Sequence, residues 1–245
     1  MNTTQHPSCR ICANPFYPFP VGEKEGYQFI SCKACGSVFC EPWPTPSAIE
    51  QFYADIQPEI VHIIHPDNKI RFIAKRIAKI IPGELAGKSF LDVSSRQGYT
   101  VAAARSLGMK ARGIDPFLFF AEFARQNYGI ESFENKTLVE DVKDGKTADL
   151  VFCIQAFCEQ TDPNAFAAAL AQSVSPGGTI YIEEPDGNHF NVPRYFSSWP
   201  IVEPPINFLY PSKKGMEKLL ARHGLKIKKS FFTWAPYMRL IVVKK

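Results

Sequence analysis

From residue 88 onward the chain alternates between short apolar runs and amphipathic stretches, the signature of repeated strand–helix units. Ser89–Val93 (SFLDV) is an apolar run of strand length, suited to a parallel strand buried on both faces. A polar turn follows, Ser94-Ser95-Arg96-Gln97-Gly98, and then an Ala-rich segment that predicts a helix over 99–107. Gly108 stands where a C-terminal helix cap is expected, and 110–114 reads as the next strand, ending on Asp115. The alternation continues with a helix over 121–128, strands over 131–133 and 149–154, a helix opened by Asp162-Pro163, and a strand over 179–183 after the turn Ser175-Pro176-Gly177-Gly178. A helix over 212–223 and two strands, 226–233 and 238–243, close the chain. The last two are joined by so few residues that they must pair as an antiparallel hairpin. Ahead of this series, Ile70, Ile73, Ile77 and Ile80 recur at helical spacing within 67–81, with lysines and arginines on the other positions. That pattern predicts an amphipathic helix covering the sheet.

The first third follows different rules. Cys9-x-x-Cys12 and Cys32-x-x-Cys35 are two pairs separated by 19 residues, the spacing of a zinc ribbon. Gly36 follows the second pair and supplies the backbone freedom that a thiolate-binding turn needs, and 27–30 reads as a strand leading into it. A unit this small cannot fold on apolar burial alone, so a Zn²⁺ on Cys9, Cys12, Cys32 and Cys35 is expected to be structural. Cys40 lies outside the pattern. The segment 41–46, Glu-Pro-Trp-Pro-Thr-Pro, is a stiff connector, and a short helix through Ile49, Phe52 and Tyr53 follows it. The expected organisation is a ribbon with its proline-rich link at 1–46 and a larger α/β domain at 47–245.

Composition adds exclusions. Charged residues make up 21% of the 245 and the formal net charge is +4, which four thiolates around one Zn²⁺ would lower by two. No basic stripe points to nucleic acid. No apolar run approaches the ~18 residues of a membrane span, so no membrane partner is expected. The polar N-terminus lacks a signal-like apolar stretch, and a soluble, cytoplasmic protein is expected.

The candidate chemistry centres on Asp115. It lies 21 positions after Ser94, the separation between a nucleotide-fold turn and the carboxylate that grips a ribose. Asp92 either fixes the turn or reaches a cofactor's amino group through water. Gln155, just past the strand over 149–154, lies at the sheet edge where ligands gather, as pocket lining or as a helix cap. The 27 residues over 185–211 join a strand to the last helix without clear periodicity, as a binding loop does. They carry Phe190, Tyr195, Phe196, Trp199, Phe208 and Tyr210, which form either an acceptor pocket or an aromatic patch packed onto the sheet or a neighbouring subunit. His189 follows the preceding strand closely and is the expected proton acceptor, with Glu184 as the second choice.

A parallel α/β sheet closed by a C-terminal antiparallel hairpin resembles the class I S-adenosylmethionine-dependent methyltransferases. The patterns that carry the likeness are Asp92-Val93 before the turn, Gly113-Ile114-Asp115-Pro116, Asp162-Pro163 and Ser175-Pro176-Gly177-Gly178. The paired Cys-x-x-Cys, Val38-Phe39, the 49–53 stretch and Tyr210-Pro211-Ser212 are similar to the subfamily with an N-terminal zinc ribbon. The resemblance implies a Rossmann-like sheet, S-adenosylmethionine on Asp92, Ser94, Gly98, Asp115, Pro116 and Gln155, and a small-molecule acceptor. The sequence departs from the family at the first motif. Where three glycines are usual it carries Ser94, Arg96 and Gly98, and only the last glycine remains. A side chain at 96 obstructs the methionine end of the cofactor unless it points outward. The alternative is a non-catalytic binding or scaffold protein on a degenerate methyltransferase fold.

Overall fold

The computed structural model describes residues 8–60 and 66–245, so most of the polar N-terminal stretch lies outside it. Its elements in chain order are β1 (Pro18–Lys24), β2 (Tyr27–Cys32), β3 (Val38–Glu41), α1 (Pro46–Ile60), α2 (Pro66–Ile80), β4 (Ser89–Val93), α3 (Tyr99–Ser106), β5 (Lys110–Asp115) and α4 (Leu118–Tyr128). Then come β6 (Phe133–Asn135), α5 (Leu138–Asp141), β7 (Ala148–Ile154), α6 (Pro163–Ser173), β8 (Val174–Pro185), β9 (Leu209–Tyr210), α7 (Lys213–Arg222), β10 (Leu225–Phe231) and β11 (Tyr237–Lys244).

Seven strands form one sheet in the order β10-β11-β8-β7-β4-β5-β6. The pairs β8–β7, β7–β4, β4–β5 and β5–β6 are parallel, and β11 is antiparallel to both β8 and β10. Strand order reverses at β4, and there the carboxyl ends of β4, β5 and β7 leave a crevice between their turns. The expected turn at 175–178 is instead absorbed into β8. The β7–β8 register slips between Ala148 and Leu150, Gly177 takes a φ of +77°, and a side chain on Gly178 would meet the Asp149 carbonyl at 3.0 Å. The third parallel strand lies at Phe133–Asn135 rather than 131–133, because Asp115 pairs with Asn135.

The ribbon is not set apart from this body. The strands β1, β2 and β3 form a second sheet whose fourth member, β9, comes from the 185–211 segment. Val38 pairs with Tyr210 and Phe39 with Leu209. Sequence periodicity cannot reveal β9, since two residues carry no pattern of their own. Four of the loop's aromatic side chains, Phe196, Trp199, Phe208 and Tyr210, are buried here against ribbon residues, with Phe29–Phe196 at 5.5 Å and Trp43–Phe208 at 5.0 Å between ring centroids. They build a core that 1–46 and 185–211 share.

Ser212 ties the same junction to α7. Its hydroxyl accepts from the Gly215 amide (2.9 Å) as the helix N-cap and donates to the Cys35 carbonyl, while its own amide donates to Ser37 Oγ (3.0 Å). Ser212→Ala removes the cap and leaves a buried carbonyl with one partner fewer. A loss of about 1–3 kcal/mol is expected, read as a lowered Tm; an unchanged melting curve would discount the junction.

Candidate functional site

The turn after β4 keeps the shape that glycines normally give it. Ser94, Arg96 and Gly98 all adopt left-handed backbone conformations, with φ of +56°, +49° and +79°. Two of the three carry a side chain there, at a cost of about 1–3 kcal/mol each, so the surrounding contacts must hold them in place. At 98 glycine is required twice over, since a Cβ would also meet Ala124 Cβ at 2.9 Å. Gln155, after β7, has a φ of +51° as well.

Asp115 is one of the groups holding the turn. Its Oδ2 accepts from the Arg96 amide (2.9 Å) and its Oδ1 from the Phe117 amide (3.0 Å). The carboxyl is buried, and burial pushes its pKa up to about 7 despite those two amides. Asp92 accepts from Ser95 Oγ (2.7 Å), and burial likewise pushes it up to about 7.

Three cavities lie side by side across these strand ends. The outermost, about 610 Å³, is lined by Pro116, Phe117, Asn135 and Thr161 among others. The middle one, only about 80 Å³, lies between Ser94, Asp115, Tyr53 and Gln160. The third, about 380 Å³, is bounded by Asp92, Ser94, Gln155 and Glu183, with Lys69, Ile73 and Arg76 of α2 as its roof.

The middle is narrow because Arg96 points inward. Its guanidinium pairs with Glu159, whose Oε1 and Oε2 also accept from the Tyr53 hydroxyl at 3.0 and 3.1 Å. The Tyr53 ring stands 5.5 Å from that guanidinium and 4.1 Å from the Phe117 ring. Burial pushes the Glu159 pKa up, and Arg96 and Tyr53 oppose it. Thus α1, the β4 turn and the β7 turn are latched together over Asp115. The sequence carried one usable sign of this latch: opposite charges at 96 and 159, in the turns after two strands that pair with each other.

At the third cavity lies a polar cluster around Glu183, joined by Arg76, which helical spacing places on the polar face of its helix. Tyr181 donates to Glu183 Oε2 (2.5 Å), Arg76 reaches both Glu183 and the Tyr181 hydroxyl (2.7 Å to the latter), and Arg239 Nε lies 3.1 Å from Glu183 Oε2. Gln155 Nε2 faces the Tyr237 hydroxyl at 3.4 Å.

The two expected proton acceptors are placed elsewhere. Glu184 is fully buried, and its oxygens accept from the amides of Ala156 (2.7 Å), Phe157 (2.9 Å) and Cys158 (3.3 Å). It shapes the turn after β7 and cannot touch an acceptor. His189 accepts from the Asn191 amide at Nδ1 (3.1 Å), which leaves Nε2 to donate to the Thr233 carbonyl (3.2 Å). Both ring nitrogens are occupied, and the residue lines none of the three cavities.

Burial pushes Glu184 up to about 8 against those three amides, so the folded protein binds a proton there that the unfolded chain releases near its ordinary value of 4.5. Stability from this group is therefore present on the acid side and lost as pH rises through about 8. A decline on the order of 2–4 kcal/mol between about pH 5 and pH 8 is expected in urea titrations. Glu184→Gln should be less stable at pH 5 and show a flatter decline; an equally steep slope would assign the pH dependence to other groups.

At the ribbon, Cys9, Cys12, Cys32 and Cys35 are all buried, with their sulfurs within 4.8 Å of one another. Cys9–Cys35 and Cys12–Cys32 stand at 3.9 and 4.0 Å. Tetrahedral Zn–S bonds of ~2.3 Å require sulfurs about 3.8 Å apart, so the donor set fits a closed structural site. The residues following the two pairs, Ala13 and Gly36, have φ of +59° and +82°, and the Gly36 amide donates to the Cys32 carbonyl (2.7 Å).

Residues 65–230, more than half of the chain, match the family described as "Methyltransferase domain". The chain belongs to that family, and its sheet is that of the class I S-adenosylmethionine-dependent methyltransferases. Magnesium protoporphyrin IX methyltransferase from Synechocystis PCC 6803 with bound SAH is 15% identical, with a TM-score of 0.62 over 82% of this chain and 100% of that one. The 1,6-didemethyltoxoflavin-N1-methyltransferase of Burkholderia thailandensis, with bound 1,6-didemethyltoxoflavin and S-adenosylhomocysteine, is 12% identical, with a TM-score of 0.61 over 92% and 99%. A TehB-like SAM-dependent methyltransferase from Corynebacterium glutamicum ATCC 13032 Kitasato is 15% identical, with a TM-score of 0.54 over 81% and 97%. No curated protein matches the chain.

Proposed function

We propose that this protein transfers a methyl group from S-adenosylmethionine to a small-molecule acceptor, with one Zn²⁺ on Cys9, Cys12, Cys32 and Cys35 bracing the ribbon. The observation that carries the reading is the row of three cavities along the carboxyl ends of β4, β5 and β7, with Asp115 at its centre. Pro116, Phe117 and Asn135 offer an adenine site, Asp115 a ribose acceptor, and Asp92, Ser94, Gly98 and Gln155 the surroundings of the methionine end. Bound there, S-adenosylmethionine supplies an electrophilic sulfonium methyl. The chain's own contribution is orientation and exclusion of water: α2 roofs the third cavity, and its walls hold an acceptor in line with the methyl. Glu183 is the carboxylate at that cavity's edge able to take the acceptor's proton, and Arg76 and Arg239 pair with its Oε2. The inward Arg96 favours the second reading, a non-catalytic relative.

Calorimetry separates the two. Native protein should bind S-adenosylmethionine or its demethylated product, and Asp115→Ala should bind about 10- to 100-fold more weakly, the scale of a lost polar contact. If neither the native protein nor an Arg96→Gly variant binds at millimolar cofactor, the non-catalytic reading replaces this one.

A further inference from the structure

Three aromatic side chains stand in solvent at the tip of the β10–β11 hairpin and on the segment beside it: Phe190, 64% exposed, Phe232, 70%, and Trp234, 75%. They form one cluster. Phe190 stacks on Phe232 and meets Trp234 edge-on, each at 6.2 Å between centroids, and Phe232–Trp234 is 5.2 Å. None of them lines a cavity at the strand ends. The cluster is built rather than loose. His189 Nε2 donates to the Thr233 carbonyl, Asn191 Nδ2 donates to the Trp234 carbonyl (2.8 Å), the Asp186 amide bonds the Pro236 carbonyl (3.0 Å), and the His189 ring stacks on Phe190 at 4.3 Å. This gives His189 its role: it pins the segment to the hairpin and supports one of the exposed rings. Large apolar groups held together in water mark a surface that meets something.

Charge says what it meets. The stretches 187–200 and 225–238 that form this corner carry Arg194, Lys226, Lys228 and Lys229, and no Asp or Glu; Arg239 beyond them is paired with Glu183. Lys226, Lys228 and Lys229 are exposed on the outer strand β10, and Arg194 is exposed on the segment that carries Phe190. The corner therefore presents aromatic rings at its tip and cations behind them, against a chain whose overall net charge is only +4. Three rings bury on the order of 600 Å² even if wholly covered. That is small beside the ~800 Å² per partner of a stable protein interface. It matches the requirement of a bilayer surface, where Trp and Phe lodge at headgroup depth and Lys or Arg meet anionic lipid.

We infer that this corner is a peripheral membrane-binding surface for anionic lipid, with Phe190, Phe232 and Trp234 entering the headgroup layer and Lys228, Lys229 and Arg194 contacting lipid phosphates. No helix of the described residues is long and apolar enough to cross a membrane, so the protein lies on the bilayer and does not span it. The expectation of no membrane partner narrows to no membrane span. The tip lies at the carboxyl end of β8, since Tyr237 pairs with Pro185, so this surface shares one edge of the sheet with Asp92 and Asp115.

The test uses the full chain with vesicles of phosphatidylcholine alone and of phosphatidylcholine mixed equally with phosphatidylglycerol. Trp234 is the exposed one of the three tryptophans, so its fluorescence should shift to the blue on the mixed vesicles, and the protein should sediment with them. Binding to the neutral vesicles should be at least about tenfold weaker, and added salt should release the protein. Replacing Phe190, Phe232 and Trp234 together by Ser should lower binding at least about tenfold with an unchanged melting curve. Lys228→Glu with Lys229→Glu should do so while the rings remain. The inference fails if the native protein ignores mixed vesicles, or if the ring variant binds them equally well. It also fails, in favour of a contact between copies of this chain, if the native protein sediments as a dimer that the ring variant dissolves and neither form binds vesicles.

Discussion

Replacing Cys32 by Ala should leave the protein without zinc and without a stable ribbon, and the damage should reach beyond residue 46. The four sulfurs already stand near the separations that tetrahedral thiolate ligation requires, and all four are buried. A structural Zn²⁺ contributes on the order of 10 kcal/mol to folding. That is comparable with the ~5–15 kcal/mol by which whole domains are stable, so loss of this one site can unfold the ribbon. The route outward is specific. The strand β3 pairs with β9, Ser212 bonds the Cys35 carbonyl, and Phe29 and Trp43 pack on Phe196 and Phe208. Loss of the metal should therefore expose Trp43 and Trp199 and loosen the whole 185–211 segment, giving a red-shifted fluorescence spectrum and rapid proteolysis there. Elemental analysis of the native protein checks the premise, and a strong chelator should reproduce the variant's spectrum. Native protein without zinc, or a Cys32→Ala form with native zinc content and melting temperature, would sink the metal site.

The parts of this molecule that were legible in the sequence are those whose order is local. The β4–α3–β5 unit follows from two apolar runs, an Ala-rich stretch and Gly108, which takes a φ of +76° at the end of α3. The α2 helix follows from its isoleucine spacing, and the terminal hairpin from its short connection. The clustering of Cys9, Cys12, Cys32 and Cys35 follows from their spacing, because each pair turns within four residues. What stayed hidden depends on distant partners. The strand β9 exists because Val38 and Phe39 offer it an edge. The strand β1 contains Pro18, Pro20 and Gly22, residue types that disfavour a strand on their own, and is held by pairing with β2. Chain proximity suggested His189 and Glu184 as proton acceptors, yet proximity to a strand end does not fix where lone pairs point. Backbone amides and carbonyls had already engaged both side chains. Whether Arg96 faced in or out could not be judged without knowing that Glu159 and Tyr53 wait on the inner side.

Arg96→Gly should weaken the fold and strengthen cofactor binding, two effects of opposite sign from one residue. Two terms act on stability. Glycine relieves the left-handed strain at 96, worth about 1 kcal/mol or somewhat more. Removing the guanidinium leaves Glu159 buried with the Tyr53 hydroxyl as its remaining side-chain partner, and breaking a buried pair costs about 3–5 kcal/mol. The second term wins, by about 2–4 kcal/mol, which is roughly 5–15 °C in Tm for a chain of this length. Arg96→Gly combined with Glu159→Gln should recover most of that loss, because no charge is then stranded. On the binding side, a ribose reaching Asp115 in the native protein must first part Arg96 from Glu159 and Tyr53, so only the fraction of molecules with the latch open can bind. If opening costs more than about 1.4 kcal/mol, fewer than about one molecule in ten is competent, and a glycine at 96 should tighten binding at least about tenfold. Melting curves and calorimetry on the native protein, the single variant and the double variant measure both effects. A lower Tm with unchanged affinity would make the latch a purely structural pair. Weaker binding in Arg96→Gly would mean that the guanidinium itself holds the cofactor, and that the side chain standing where the family has glycine is a ligand rather than an obstruction.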